Sequence, residues 1–266
     1  MSRLAVVGAG VMGETIIAGL IAGGWEPGQI VAVDRYQARV DEVTGRHGVA
    51  TAASVGEAVA GADAVLLAVK PQDARGVLAQ IAPAIKPEAV LVSICAGIST
   101  ASIESELPEG TPVVRVMPNT PAKVGEGMAA ISAGTAASPT HLELASGLLG
   151  SVGKVVTVPE SYQDAVTAVS GSGPAYVFYV VEAMVDAGVL LGLPRDVATT
   201  LAVQTLYGSA KLLVESGEHP GRLREQVTSP GGTTAAALRE LDANGVKAAF
   251  TAAMEACRDR SRELAG

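Results

Sequence analysis

Leu4-Ala5-Val6-Val7-Gly8-Ala9-Gly10-Val11-Met12-Gly13 decides how the first half of the chain reads. Leu4 to Val7 is a short apolar run of the kind that forms a fully buried strand, and Met12 to Ala22 follows as a helix. Between them stands G-x-G-x-x-G, a weak signal alone and a strong one directly after a strand and opening a helix. Gly8 allows the tight turn, Gly10 lets a pyrophosphate approach the backbone, and Gly13 permits close packing of helix on strand. With Ala9, these residues aim free N–H groups, around Val11 and Met12, at the diphosphate of a dinucleotide.

That fingerprint expects an acidic residue about 20 positions further on. Asp34 stands there, at the end of a second strand from Ile30 to Asp34, and suits the ribose 2′-hydroxyl of NAD. Arg35 follows immediately and suits the 2′-phosphate of NADP. Both NADPH and NADH stay open.

The same alternation continues outward. A helix is expected from Gln37 to about Arg46, and Ser54-Val55-Gly56-Glu57 is a capping-box pattern opening a short one. Ala64 to Val69, Val90 to Cys95, Val113 to Met117 and Val155 to Val158 read as further strands. Pro71 starts a helix to about Ala84, and Ser138-Pro139 starts another ending near Ser151. Continuous apolar strands separated by helices imply a doubly wound parallel sheet covered on both faces. In such sheets ligands bind at the carboxyl ends of the strands. Ala68, Val69 and Lys70 lie at one such end, Ile94 and Ala96 at the next. Lys70 is placed to approach a cofactor and equally to sit in solvent. Asn119, in the rigid Met117-Pro118-Asn119-Thr120-Pro121 loop, suits the nicotinamide or the substrate, and equally a plain turn.

After Pro159 helical periodicity takes over. The expected division is an α/β dinucleotide-binding domain over 1–159 and an all-α domain over 160–266. So much apolar helical surface predicts burial against a second subunit. Ala175 to Leu193 is about the length of a helix that spans a bilayer, but Glu182 and Asp186 interrupt it, and a buried helix of a soluble protein is expected. Met1 to Gly24 superficially imitates a signal peptide, but Glu14 breaks the apolar run and the glycine pattern accounts for it.

Composition narrows the chemistry. Of 266 residues, 48% are hydrophobic and only 3% aromatic, so the core must be built from Ala, Val, Leu and Ile. A net charge of −8 without a Lys/Arg-rich run argues against nucleic-acid binding. Cys95 and Cys257 lie far apart, fitting a reduced cytoplasmic compartment, and with His47, His141 and His219 scattered no metal site is expected.

A second glycine loop, Ser229-Pro230-Gly231-Gly232-Thr233-Thr234, precedes an Ala-rich helix. Its converging N–H groups and hydroxyls suit one carboxylate. Each charge-assisted hydrogen bond there contributes roughly 1.5–3 kcal/mol, and the helix dipole about 0.3–1 kcal/mol more. The plainer alternative is a turn with a Thr N-cap. A hydroxyacid dehydrogenase needs a base, usually a His with an orienting carboxylate, and no histidine here has an evident partner in sequence. Reduction of a C=N bond asks for less.

These residues resemble the pyrroline-5-carboxylate reductase family along essentially the whole chain. The most specific stretch is Leu223-Arg224-Glu225-Gln226-Val227-Thr228-Ser229-Pro230-Gly231-Gly232-Thr233-Thr234-Ala235, continuing to Leu241-Asp242. Ser170-Gly171-Ser172-Gly173-Pro174-Ala175-Tyr176, Val69-Lys70-Pro71, the Met117–Pro121 loop and His219-Pro220-Gly221 also match. The resemblance implies a Rossmann domain and a helical domain that interlocks with a partner's into a homodimer, often within a ring of dimers. It implies hydride transfer from NADPH or NADH to 1-pyrroline-5-carboxylate, giving L-proline, the last step of proline biosynthesis. The substrate then lies at the dimer interface, with the Ser229–Thr234 loop on its carboxylate, Thr234 as the catalytic residue near the ring nitrogen, and Glu160 close to the imino acid. Many members prefer NADPH, and Asp34 departs from the small or amide residue frequent at that point.

Overall fold

Strands with apolar side chains on both faces have no solvent side, so they must lie in a sheet covered above and below. A computed structural model, describing residues 3–265, has this arrangement. It begins with β1 (Leu4–Val7), α1 (Val11–Ala22), β2 (Ile30–Val33), α2 (Gln37–His47), β3 (Ala50–Thr51), α3 (Val55–Ala60), β4 (Ala64–Leu67) and α4 (Pro71–Ile81). Next come β5 (Val90–Ser93), α5 (Thr100–Glu104), β6 (Val113–Met117), β7 (Gly127–Ala133), α6 (Pro139–Gly150) and β8 (Gly153–Thr157). The strands join in one sheet of order β3-β2-β1-β4-β5-β6-β7-β8. Its winding reverses between β1 and β4, the switch point at which doubly wound sheets open a crevice.

Period-two alternation sorts the core. Leu4 and Val6 enter one apolar cluster with Ile16, Ile17 and Leu20 of α1 and with Leu148 and Leu149 of α6. Ala5 and Val7 enter the other, with Leu78 and Ile81 of α4. Trp25, the only tryptophan, is half-buried against the first cluster. Ser54 and Glu57 form the expected reciprocal cap. Glu57 N–H donates to Ser54 Oγ at 3.2 Å, and the Glu57 carboxylate accepts from Ala53 N–H at 3.0 Å, one residue earlier than the usual box.

The sheet is mixed, not wholly parallel as expected, because β7 runs antiparallel to β6. Nothing in Gly127-Met128-Ala129-Ala130-Ile131-Ser132-Ala133 announces this strand, since its residues are mostly small and only Ile131 is β-branched. Tertiary cover makes it: Ala129 to Ser132 are buried, and Ser132 Oγ donates to Val158 O at 2.9 Å. The two-residue β3 is also absent from the sequence reading. Strands expected to reach Asp34, Val69 and Cys95 stop at Val33, Leu67 and Ser93. Ala68 N–H still bonds Val7 O and Ile94 N–H still bonds Leu67 O, after which the chain turns out to form the crevice.

From residue 160 the chain is helical: α7 (Gln163–Val166), a π turn over Thr167–Gly171, α8 (Gly173–Leu190), α9 (Arg195–Ser216), α10 (Pro220–Gln226), α11 (Thr233–Ala243) and α12 (Val246–Ala265). In the π turn Ser172 N–H reaches Thr167 O at 2.8 Å, and the Ser170 carbonyl is open to an outside donor because the residue four positions on is Pro174, which has no N–H.

Two compact units result, Met1–Ser172 with Cys257–Gly266, and Gly173–Ala256. This packing boundary lies beyond residue 160 and assigns the end of α12 to the first unit. There Ser261 Oγ donates to Asp164 at 2.8 Å, and Cys257 Sγ lies 3.3 Å from Ser172 Oγ. In the second unit α8 and α9 pack around Val185, Ala198 and Ala202. The segment Glu160–Leu190 is long and apolar enough to cross a membrane, and within α8 only Val185 is buried. The expected burial of this helix is therefore not met by the single chain, whose second unit offers too few elements to cover it. Phe178, Tyr179, Leu201, Tyr207 and Val214 are all at least half exposed.

Leu66 is fully buried in the first cluster. Leu66→Ala is expected to lower unfolding stability by about 2–5 kcal/mol, the range for a cavity left by a buried Leu. The shift of the urea midpoint followed by Trp25 fluorescence measures it.

Candidate active site

Gly8 holds the loop between β1 and α1 at φ +102°, a conformation that favours glycine, and a Cβ there would stand 2.6 Å from Ala68 O. Gly13 is buried against the same turn, where any Cβ would meet Gly8 O. In front of Gly10 the space is open. Gly10 is the N-cap of α1 and offers no side-chain cap, so the first-turn N–H groups of Val11, Met12 and Gly13 lack an intrahelical acceptor. A diphosphate fits such a cradle.

Two side chains fix this loop from the far side. Asp34 Oδ2 accepts from Ala9 N–H at 2.8 Å, and Arg39 Nε donates to Ala9 O at 2.7 Å. The other Asp34 oxygen accepts from Tyr36 N–H at 3.0 Å. Arg39 also pairs with Glu14 and Glu42, and Glu14 further accepts from Arg46 and faces His47. Burial alone would push the Glu14 carboxyl up. The His47 and Arg39 hydrogen bonds, with the charges of Arg39 and Arg46, outweigh it and hold the group below the ordinary range.

A cleft of about 840 Å³ brings together Gly8, Gly10, Val11, Asp34, Arg35, Ala68, Val69 and Lys70. Tyr36, Arg39 and Asp73 line it too, although sequence reasoning passed over them, and so does Ser54, which the sequence marks only as a helix cap. For Arg39 the available signal was its place on the first turn of a helix directly after the strand-end acid. Ala9, Met12 and Gly13 form the cleft's support. Ile94 is half-buried below the sheet end, and Ala96 lines a separate cavity of about 520 Å³ with Pro71 and Gly97.

Asn119 is engaged at both ends. Its Nδ2 donates to Ser170 O at 3.0 Å, a carbonyl left without a helical donor by Pro174, and its Oδ1 accepts from Met128 N–H at 2.8 Å. Glu160 is likewise filled: Thr100 N–H donates at 2.7 Å, Thr100 Oγ1 at 2.5 Å and Arg115 at 3.1 Å. Burial raises this carboxyl, but the Thr100 bonds and the Arg115 guanidinium prevail and lower it.

Ser229, Gly231, Gly232, Thr233 and Thr234 lie together in the second unit. Pro230 and Gly231 form the centre of a turn closed by Gly232 N–H on Ser229 O at 3.0 Å. Gly231 has φ +68°, as the third residue of a type II turn requires. The N-cap of α11 is Gly232, without a side-chain bond, and not a Thr. The N–H groups of Thr233, Thr234 and Ala235 are thus left for an outside acceptor. Thr234 is half-buried, and Ser229 and Thr233 are exposed.

Comparison with known proteins adds to this geometry. Residues 160–264 match the pyrroline-5-carboxylate reductase dimerisation family, and residues 3–97 match the family of NADP oxidoreductases described as coenzyme F420-dependent. The pyrroline-5-carboxylate reductase of Mycobacterium tuberculosis is 46% identical over 287 aligned positions, covering 99% of this chain and 97% of that one. This chain belongs to the pyrroline-5-carboxylate reductase family. Among solved structures, the Coxiella burnetii reductase superposes with a TM-score of 0.95 at 33% identity, covering 100% of this chain and 99% of that one. A Plasmodium falciparum pyrroline carboxylate reductase with NADP bound gives 0.86 at 29% identity, covering 100% and 98%. The reductase described here is an NAD(P)H-dependent oxidoreductase whose helical half contains a dimerisation domain.

A carboxylate lowered in the folded state contributes stability above its unfolded value, and that contribution is lost as the pH falls through the lowered one. Glu160→Gln is therefore expected to cost about 1–3 kcal/mol at neutral pH. The gap from the parent should close as the pH drops below the ordinary glutamate range, and urea unfolding of both proteins across acid pH measures it.

Proposed function

We propose that this reductase transfers hydride to the C=N bond of 1-pyrroline-5-carboxylate, giving L-proline, with residues 1–159 holding the dinucleotide and residues 160–266 forming the dimer and binding substrate. The observation that carries the reading is the uncapped first turn of α1, open in front of Gly10 and facing a cleft at the switch point of the sheet. The reduced nicotinamide of NADPH or NADH, when bound, supplies the hydride. Gly8, Ala9 and Gly10 shape the cradle, and the N–H groups of Val11, Met12 and Gly13 receive the diphosphate. Asp34 and Arg35 stand where the adenosine ribose is read. Ala68, Val69 and Lys70 border the cleft, and Ile94, Ala96 and Asn119 form the further strand-end surface for the nicotinamide.

The Ser229–Thr234 turn clamps the substrate carboxylate with first-turn N–H groups and with the hydroxyls of Ser229 and Thr233. Gly231 and Gly232 let the backbone come close. Thr234 Oγ1, or a water it holds, hydrogen-bonds the ring nitrogen and stabilises the protonated imine that accepts hydride. No residue has to remove a proton from carbon or oxygen, so positioning and electrostatics carry the catalysis. Glu160 acts through Thr100 and Arg115 as a positioning residue.

The exposed apolar side chains of the second unit support a homodimer formed through the helical half, and dimers of this kind assemble further into a ring. The cytoplasm suits a protein whose two cysteines are both free. A charge of −8 leaves small molecules, not nucleic acids or membranes, as its partners.

Loss of reduced-nicotinamide absorbance with the cyclic imino acid tests the reaction, and no oxidation with either cofactor by folded, nucleotide-bound protein would refute it. Thr234→Ala should lower turnover by tens- to about a thousandfold, in line with one positioned hydrogen-bonding group at roughly 2–4 kcal/mol. Unchanged turnover removes Thr234 from the mechanism. Sedimentation equilibrium should give at least twice the chain mass of 26.7 kDa; a monomer at micromolar concentration rejects the dimer.

A further inference from the structure

The last turns of α12 lie along the segment that carries Glu160 and the π turn. Cys257 Sγ stands 3.3 Å from Ser172 Oγ, and one helical turn later Ser261 Oγ donates to Asp164 Oδ1 at 2.8 Å. Rising residue number on α12 meets falling number on the segment, so the two run antiparallel. Leu264 continues the stripe and lines a cavity with Ile98 and Ser102, two residues on either side of Thr100. Ser261 is only 9% exposed, while Arg260, Arg262 and Glu263 around it are open to solvent. Its hydroxyl turns away from its own helix to a carboxylate on another element. Arg262 Nε adds a longer, exposed ion pair to the second Asp164 oxygen at 3.8 Å.

The gripped segment holds the site by three further bonds. Glu160 accepts from Thr100 and Arg115. Gln163, 1% exposed, donates from Nε2 to Ser132 Oγ at 2.8 Å. Ser170 O takes the Asn119 amide at 3.0 Å. The segment does not keep this shape by its own ladder. The π turn interrupts the regular helical pattern, Pro174 supplies no N–H to resume it, and Gln163 Oε1 is buried without a hydrogen-bond partner. Contacts from outside have to offset these costs, and the end of α12 provides two of them.

We infer that the end of α12 is a clasp, in which Ser261 and Asp164 are positioning residues that hold Glu160 and Asn119 in place for the reaction. Cys257, Ser261 and Asp164 do not line the cleft at β1 and β4. Loss of the clasp therefore separates turnover of the imino acid from affinity for nucleotide. The inference rests on the reading that Asn119 and Glu160 serve hydride transfer to that substrate.

Steady-state kinetics of the whole enzyme, with each variant held well below its melting temperature, tests this. Ser261→Ala should lower kcat/KM for the imino acid by about tenfold, because a displacement remote from the reacting atoms still misaligns them. Its affinity for ADP, read by calorimetry, should stay within about twofold of the parent. Asp164→Ala should match Ser261→Ala, whereas Asp164→Asn keeps an acceptor for the Ser261 hydroxyl and should restore most of kcat/KM. Amide exchange over residues 163–172, followed by mass spectrometry, should quicken in both alanine variants and not in Asp164→Asn. An unchanged kcat/KM in Ser261→Ala, an equal loss in Asp164→Asn, a parallel loss of ADP affinity or unaltered exchange would each overturn the inference. A parent that binds nucleotide and leaves the imino acid unreduced would instead overturn the reaction reading, and the inference with it.

Discussion

The backbone of Ala9 is held on both sides of its Cα by charged groups, and the first unit is organised around that grip. Its N–H lies on Asp34 and its carbonyl on Arg39, so the loop after β1 is tied to the end of β2 and to α2. Bonds of this kind contribute about 1.5–3 kcal/mol each. Gly8 N–H adds a bond to Val33 O at 2.8 Å. The loop is thereby set before any ligand arrives, with the open N–H groups of α1 facing outward. Glu14 extends the tie by joining α1 to Arg39 and Arg46 on α2.

A loop fixed in advance spares a dinucleotide the cost of ordering it. The turn at Ser229–Thr234 repeats the device in the second unit, with Gly232 as a bare N-cap and Gly231 supplying the left-handed bend. Both turns thus leave backbone donors unpaired at a helix start behind a glycine N-cap. Because main-chain N–H groups do not titrate, such sites hold anions without a side chain that must keep its charge.

Where one residue type serves one purpose, the sequence was readable. The glycine fingerprint, the buried Val-rich strands and the Ser54–Glu57 cap have local causes, and each has its counterpart in the structure. The strand Gly127–Ala133 was not legible, because small residues carry no strong preference and its form comes from neighbours distant in sequence. The roles of Arg39, Thr100 and Arg115 were hidden for the same reason: each acts on a partner 30 to 60 residues away. Asn119 and Glu160 were recognisable as residues of interest, but only the structure shows that both are already engaged. The apolar surface of α8 reads as core in sequence and lies open in the single chain, since its cover has to come from outside it.

A core built almost without aromatics leaves Trp25 as the sole indole, seated against the first apolar cluster of the first unit. The protein therefore has a built-in optical label of known address. Indole emission reports the environment of the α/β unit in which Trp25 sits. Tyr176, Tyr179 and Tyr207 occupy that second unit, so tyrosine emission responds to its rearrangements as well. Recorded together, the two signals follow the first unit and the whole chain without any added dye.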